Sequence, residues 1–279
     1  MGNAHRRFLQ AAGLLLAAAV FAGCSPRAPE APKAAAPPPA PAAAKVYVVG
    51  TDAAYAPFES QNEKGEIVGF DIDLMKAVAA KAGIEIKVVN TPWEGIFNTL
   101  AQGDRDMLIS AITITDERKQ TVDFSAPYFD AHQLIVVKET SKVAKFEDLK
   151  KLKVGVQTGT TGDEVTSKLL GKTNTNVRRF ESTPLALKEL EAGGVDAVVA
   201  DNGVVVNYVT NNQGSKFRMV SDAAFAPEQY GIAVRKGNAE LLEKINKALA
   251  DLKADGGYDK LYTSYFGAKA TAAAADVKK

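Results

Sequence analysis

Cysteine is nearly missing from this chain, with one residue, Cys24, among 279. A single thiol excludes an internal disulfide and cannot by itself hold a zinc ion. Histidine is almost as scarce, represented only by His5 and His132. No Cys/His cluster stands at metal-ligand spacing, which argues against a transition-metal enzyme. Neither sign of charge is in excess: 34 basic against 33 acidic residues leave a formal charge of +1. A nucleic-acid binder needs a basic surface, so that class is argued against too, while a small charged ligand is not. No serine or cysteine nucleophile motif is visible. An apolar run from Leu9 to Ala22 is too short for a bilayer core, which takes about 20 residues. What remains is 46% hydrophobic residues, enough for one large domain or two modest ones.

The first 23 residues read as an address. Arg6 and Arg7 precede the apolar run, which ends in the small residues Ala22-Gly23 directly before Cys24. The pattern resembles a bacterial lipoprotein signal, in which the cysteine is lipidated and becomes the mature N-terminus. Phe21 departs from the aliphatic residue preferred there. Loss of residues 1–23 removes two arginines and no acid, so the mature chain carries a formal charge of about −1. Residues 24–44 hold the lipidation site Cys24 and a Pro/Ala-rich stretch with too little apolar side chain to build a core. At about 3.1 Å per residue in polyproline II, it makes a tether reaching roughly 60 Å. The Ala-rich tail 268–279 is read as disordered.

From Lys45 to Gly267 strand and helix patterns alternate. Strands are predicted over Val46 to Gly50, Ile84 to Val89, Met107 to Ser110, Lys153 to Val156 and Val195 to Ala200. Helices are predicted over Asp71 to Ala82, Trp93 to Ala101, Asp163 to Leu170 and Leu241 to Leu252. A further helix opens with Thr183 as N-cap and Pro184 as its first residue and ends near Gly193. The alternation predicts an α/β fold with mostly parallel sheets. Ligands of such sheets bind at the carboxyl ends of strands, over helix N-termini. The special residues gather there: Asp52, Tyr55, Ser110, Thr113, Arg118, Thr160, Thr161 and Asp201.

Several of these suggest chemistry, each with a plainer alternative. In the segment Ser110-Ala111-Ile112-Thr113-Ile114-Thr115-Asp116-Glu117-Arg118, Thr115 is a plausible N-cap and Arg118 lies one turn along. Its guanidinium matches a carboxylate bidentately, or it is a surface arginine on a charged helix. Gly155 to Gly162, with Gln157, Thr160 and Thr161, follows a strand and opens a helix. Such a turn cradles an anion or simply connects two elements, and it lacks the lysine of a nucleotide P-loop. Asp201, ending an apolar strand, meets a cation or caps the next helix. Tyr55 and Trp93 stack on a flat or cationic group, or Trp93 is core.

Together these residues carry a resemblance. Thr51-Asp52-Ala53-Ala54-Tyr55-Ala56-Pro57-Phe58-Glu59, Gly69-Phe70-Asp71-Ile72-Asp73-Leu74, Ile112 to Arg118, Asp123-Phe124-Ser125, Pro127-Tyr128, Gly159-Thr160-Thr161, Asp196-Ala197-Val198 with Asp201, and Gln229 to Ala233 occur in order over nearly all of residues 45–267. The chain resembles the amino-acid-specific solute-binding proteins of ABC importers, the group of the glutamine, histidine and lysine/arginine/ornithine binding proteins. The resemblance implies two α/β lobes joined by a two-strand hinge: residues 45–128 plus 230–267, and residues 133–226. It implies that Arg118 and the N–H groups of Thr113 and Thr161 take a ligand α-carboxylate. Asp201 would take the α-ammonium, with Ser110 or Thr113 assisting. Tyr55 and Trp93 would sandwich the side chain and Asp52 would meet its far end, with Ala111 and Thr160 completing the wall.

Two aromatics with a carboxylate suit a cation, and Gln157 stands where the resembling glutamine binders carry a lysine. Arginine or another basic amino acid is the expected ligand, with glutamine second. The expected partners are a free amino acid, a membrane permease and, through the lipid anchor, a membrane. No cofactor and no nucleic acid are expected, and the chain is read as a monomer outside the cytoplasm. The rival class is an enzyme resembling cyclohexadienyl dehydratase on the same fold. It would need a poised general acid, whereas Asp52 and Asp201 both have binding roles.

Overall fold

The computed structural model describes residues 45–267. The expected signal 1–23, the lipidation site Cys24, the tether 24–44 and the tail 268–279 lie outside the described residues. The β-branched stretches form two five-stranded sheets. The first has the order Glu85–Asn90, Val46–Thr51, Met107–Leu108, Ala233–Arg235, Val122–Phe124. The second has the order Val177–Phe180, Val154–Gln157, Ala197–Asp201, Gln133–Lys138, Phe217–Val220. In each, the first three strands run parallel and the last two pair antiparallel. The expectation of mostly parallel sheets is thereby corrected: both sheets are mixed. The reason is that Gln133–Lys138 and Ala233–Arg235 enter their sheets from the other sheet, without the crossover helix that parallel neighbours require.

Burial alternates along the central strands. In Gln133–Lys138, Ile135 and Val137 face one core while Leu134 and Val136 face another. A strand covered on both faces reads as a continuous apolar run. The first sheet does the same: Val49, Met107 and Val234 pack against Leu74, Val78, Ile245 and Leu249, and Leu108, Ala233 and Val122 against Ile96 and Leu100.

The chain passes between the sheets twice. Phe129–Ala131 leads from the first sheet into the second, and Glu228–Tyr230 leads back. These two segments pair antiparallel, with Glu228 opposite Ala131 and Tyr230 opposite Phe129. Phe58 packs on the pair, its ring centroid 4.9 Å from Phe129 and 5.3 Å from Tyr230.

Several predicted bounds shift for local reasons. The helix expected from Trp93 runs over Ile96–Gln102, because Gly95 at φ 82° breaks the helical path and leaves Trp93 in the preceding turn. The helix Thr183–Ala192 has Ser182 at its N-cap position, one residue before the expected N-cap and without a side-chain capping bond. Thr161–Leu170 begins earlier than Asp163, since Thr160 Oγ1 accepts from the Asp163 N–H at 3.2 Å as its N-cap. The turn after Thr115 is a short 3₁₀ segment, Arg118–Gln120. The helix after Asp201 is Asn202–Asn211, and elements not predicted include a small sheet of Ala54–Tyr55, Glu59–Gln61 and Ile67–Val68, the strand Val177–Phe180 and the helix Gly257–Phe266.

Candidate functional site

The carboxyl ends of the parallel strands converge on one cleft. Asp52 follows Val46–Thr51, Ser110 lies just past Met107–Leu108, Gln157 ends Val154–Gln157 and Asp201 ends Ala197–Asp201. All eleven sequence-derived candidates line one cavity of about 310 Å³: Asp52, Tyr55, Trp93, Ser110, Ala111, Thr113, Arg118, Gln157, Thr160, Thr161 and Asp201. The cleft is closed, because residues of the two sheets touch across it. Gln157 Nε2 donates to Asp52 Oδ2 at 3.2 Å, and Arg118 Nη2 donates to the Gly159 carbonyl at 3.4 Å.

Arg118 is held as a fork. Nη1 donates to the Thr113 carbonyl at 2.9 Å, and the backbone N–H donates to Thr115 Oγ1 at 3.1 Å. Its guanidinium carbon lies 5.2 Å from the Trp93 ring and 5.4 Å from the Phe97 ring. Trp93 is thus a floor for the arginine as well as a wall of the cavity. Only 8% of Arg118 is exposed, and no ion pair among the described residues includes it. Burial pulls its guanidinium below the ordinary value, opposed by the more distant charges of Glu164, Asp201 and Glu228. A buried cation without a partner is costly, which leaves it poised for an anionic ligand. Thr161 opens its helix, so its N–H has no intrahelical acceptor and adds a donor at the positive end.

Asp201 stands at the N-cap position of Asn202–Asn211 but makes no side-chain capping bond. Its oxygens instead accept from Gln133 Nε2 at 2.5 Å and from the Tyr230 hydroxyl at 2.5 Å. Burial, with the nearby charge of Glu228, pushes its carboxyl up to about 6. Asp52 is raised as well, first by burial, with the Gln157 amide partly offsetting.

Behind Ser110 and Ala111 sits a pair that sequence reasoning quoted but gave no role. Glu59 and Asp71 are fully buried. Ser110 Oγ donates to Glu59 Oε1 at 2.9 Å and accepts from the Asp52 N–H at 3.0 Å. Asp71 Oδ2 accepts from the Ala111 N–H at 2.7 Å and from the Tyr128 hydroxyl at 2.7 Å. Burial raises both carboxyls, Glu59 the more, and the neighbouring charge of Asp71 raises Glu59 further. Glu59 Oε2 and Asp71 Oδ1 are buried without a hydrogen-bond partner, and two neighbouring buried carboxyls favour keeping a proton between them over carrying two charges. The pair fixes Ala111 in the left-handed region at φ 46°, a conformation a non-glycine residue keeps only under such restraint. Glu59 and Asp71 lie in motifs already visible, whereas Gln133, opening a strand of the second sheet, and Glu228, opening a linking strand, carried no signal beyond their place in the chain.

The sequence profile of the bacterial extracellular solute-binding proteins, family 3, matches residues 47–268. The chain belongs to that family. A probable histidine-binding protein of Neisseria gonorrhoeae is 45% identical over 257 residues, covering 92% of this chain and 94% of its own. An L-arginine-binding protein of Pseudomonas aeruginosa is 36% identical over 231 residues, covering 81% and 89%. Among solved structures, the arginine-, lysine-, histidine-binding protein ArtJ of Geobacillus stearothermophilus superposes with a TM-score of 0.77 at 47% identity, over 80% of this chain and 96% of that one. This solute-binding protein therefore has the two-lobed fold, one lobe around each sheet, with Phe129–Ala131 and Glu228–Tyr230 as the strands between them.

Proposed function

We propose that this solute-binding protein captures a free amino acid, arginine or another basic one first, and delivers it to the membrane permease of an ABC importer. One observation carries the reading. A buried guanidinium, Arg118, and a buried carboxylate, Asp201, line the same 310 Å³ cavity without pairing with each other. Opposite charges held apart on the walls of one cleft match the two charged ends of a zwitterion. Arg118 with the N–H groups of Thr113 and Thr161 receives the α-carboxylate, and Asp201 the α-ammonium. Tyr55 and Trp93 flank the side chain. Asp52 ends the pocket with an acceptor, which suits a guanidinium or ammonium. The relatives named for arginine and histidine support the same class.

Glutamine is the second reading. Asp52 already accepts an amide N–H from Gln157 at 3.2 Å, and a ligand amide makes the same bond. We read the chain as a binder rather than a dehydratase, since Asp52 and Asp201 serve as charge partners and the relatives above are binding proteins. Capture proceeds as a monomer held to a membrane outside the cytoplasm through a lipid at Cys24. Among the described residues no helix is long and apolar enough to cross a membrane.

The test is a thermal-shift panel of the twenty amino acids plus ornithine on ligand-stripped protein. A ligand at 100 times its dissociation constant adds about 2.7 kcal/mol of stability. Arginine, lysine, ornithine or histidine is expected to give the largest shift. A shift with glutamine alone selects the second reading, and no shift with any of them rejects both.

A further inference from the structure

Glu228 opens the return strand between the lobes and is absent from the cavity wall, yet it is tied to residues of both halves of the site. Its Oε2 accepts the Thr113 hydroxyl at 2.6 Å and the Thr161 hydroxyl at 2.9 Å. Its Oε1 accepts from Gln133 Nε2 at 2.9 Å. Thr113 belongs to the first lobe, where its backbone bridges to Tyr230. Thr161 is the first residue of the helix that packs on the second sheet. One carboxylate oxygen therefore holds a hydroxyl from each lobe. Gln133, at the start of its strand, uses the same amide nitrogen for Asp201 at 2.5 Å. No cation lies within ion-pair distance of Glu228 among the described residues. Its charge is met by these donors instead, and it adds to the field that keeps Arg118 protonated.

We propose that Glu228 is a positioning residue of the ligand site: a hinge carboxylate that clasps Thr113 and Thr161 and so brings the two halves of the carboxylate cradle together. The inference rests on the reading that Arg118 and the N–H groups of Thr113 and Thr161 receive the ligand carboxylate. Both hydroxyl bonds form together only when the lobes are closed, because Thr113 and Thr161 move with different lobes. Charged hydrogen bonds made in one conformer shift the population toward it. The closed fraction multiplies directly into apparent affinity. Glu228 acts through the threonines and needs no contact with ligand. Losing it speeds ligand release for any amino acid the site accepts, with little change in the rate of encounter.

The chain holds one tryptophan, Trp93, which lines the cavity, so stopped-flow fluorescence reads the cleft directly. The experiment compares full-length wild type, Glu228→Ala, Thr161→Val and the double variant with arginine as probe. Glu228→Ala is expected to weaken binding about 10- to 100-fold, mostly through faster release, as for a lost charged hydrogen bond. The double variant is expected to bind no more weakly than Glu228→Ala, since both changes break the same clasp. An affinity within threefold of wild type, or additive losses, overturns the proposal. If Glu228→Ala does not fold, the near-isosteric Glu228→Gln, which sets an amide donor against one hydroxyl, carries the same test. If wild type binds no free amino acid, the functional reading fails separately. Small-angle scattering of the ligand-free proteins then decides on the clasp: a larger radius of gyration for the variant supports it and an unchanged one rejects it.

Discussion

Replacing Arg118 by methionine separates ligand binding from folding. In the ligand-free protein, Arg118 is a buried cation with two carbonyl acceptors and no carboxylate partner. The apolar variant leaves two carbonyls short of a donor but removes a charge that was costly to bury. These effects oppose, so the ligand-free melting temperature is expected to stay within a few degrees. The complex behaves differently, because the ligand carboxylate is then enclosed without its cation. Removing one partner of a buried pair costs about 3–5 kcal/mol. The N–H groups of Thr113 and Thr161 remain, which favours the lower end, and about 3 kcal/mol corresponds to roughly a 150-fold weaker dissociation constant. At an arginine concentration 100 times the wild-type constant, ligand stabilisation would fall from about 2.7 to about 0.3 kcal/mol. Titration calorimetry gives the affinity and thermal unfolding with and without arginine gives the stability. Variant affinity within threefold of wild type would refute the carboxylate role, as would a ligand-free stability loss as large as the binding loss.

Gly203 approaches the buried Phe58 ring so closely that a Cβ there would lie 2.6 Å from Cε2 and 2.7 Å from Cζ. Gly203→Ala improves helix propensity but overpacks the closed cleft, so arginine affinity is expected to fall about 5- to 150-fold, from a penalty of about 1–3 kcal/mol. Calorimetry showing unchanged affinity would mean the ring yields. Asp201, raised to about 6, holds a proton in the ligand-free protein below that pH and must release it to meet an ammonium. Affinity should therefore rise with pH through about 6 and level off above, and Asp201→Asn should bind weakly with that rise abolished. For stability the sign is opposite: a raised carboxyl binds more protons folded than unfolded, so the ligand-free protein loses stability as pH climbs from about 4 to about 6. Glu59 follows the same rule over a window reaching higher, since its carboxyl lies well above the ordinary value. Glu59→Gln keeps an acceptor for Ser110 without the titrating carboxyl. It should fold, bind arginine within threefold of wild type, and show a flatter dependence of unfolding free energy on pH above the ordinary carboxylate range. An unchanged slope in denaturant titrations would place the proton elsewhere.

Strand and helix alternation, the glycine ends of Phe70–Ala82 and Ile96–Gln102, and the polar strand-end residues of the cavity were legible because each leaves a short-range mark, whereas Ala111 entered only through the family resemblance. A buried face leaves a period, and a strand-end polar residue stands out against an apolar run. The helix Gly257–Phe266 left weaker marks, for its aromatics are half-buried and pack mainly on residues far away in sequence, as Phe266 does on Phe70 at 5.2 Å. Glu228 read as an ordinary polar residue beside the hinge. Nothing within a few positions of it announces that its carboxylate meets Thr113, 115 residues away, and Thr161, 67 away.

The sequence by itself determined the α/β alternation and, through its ordered motifs, the family, because those properties reside in residue types and local spacing. Tertiary structure alone decided the mixed order of both sheets, the burial of Glu59 beside Asp71, the packing of Arg118 over Trp93, and the closure that places Arg118 and Asp201 in one cavity unpaired. Each of these depends on distances between segments remote in the chain and on the removal of water between them. Burial sets both the protonation of a carboxyl and the strength of a charge, and it is a property of the folded whole.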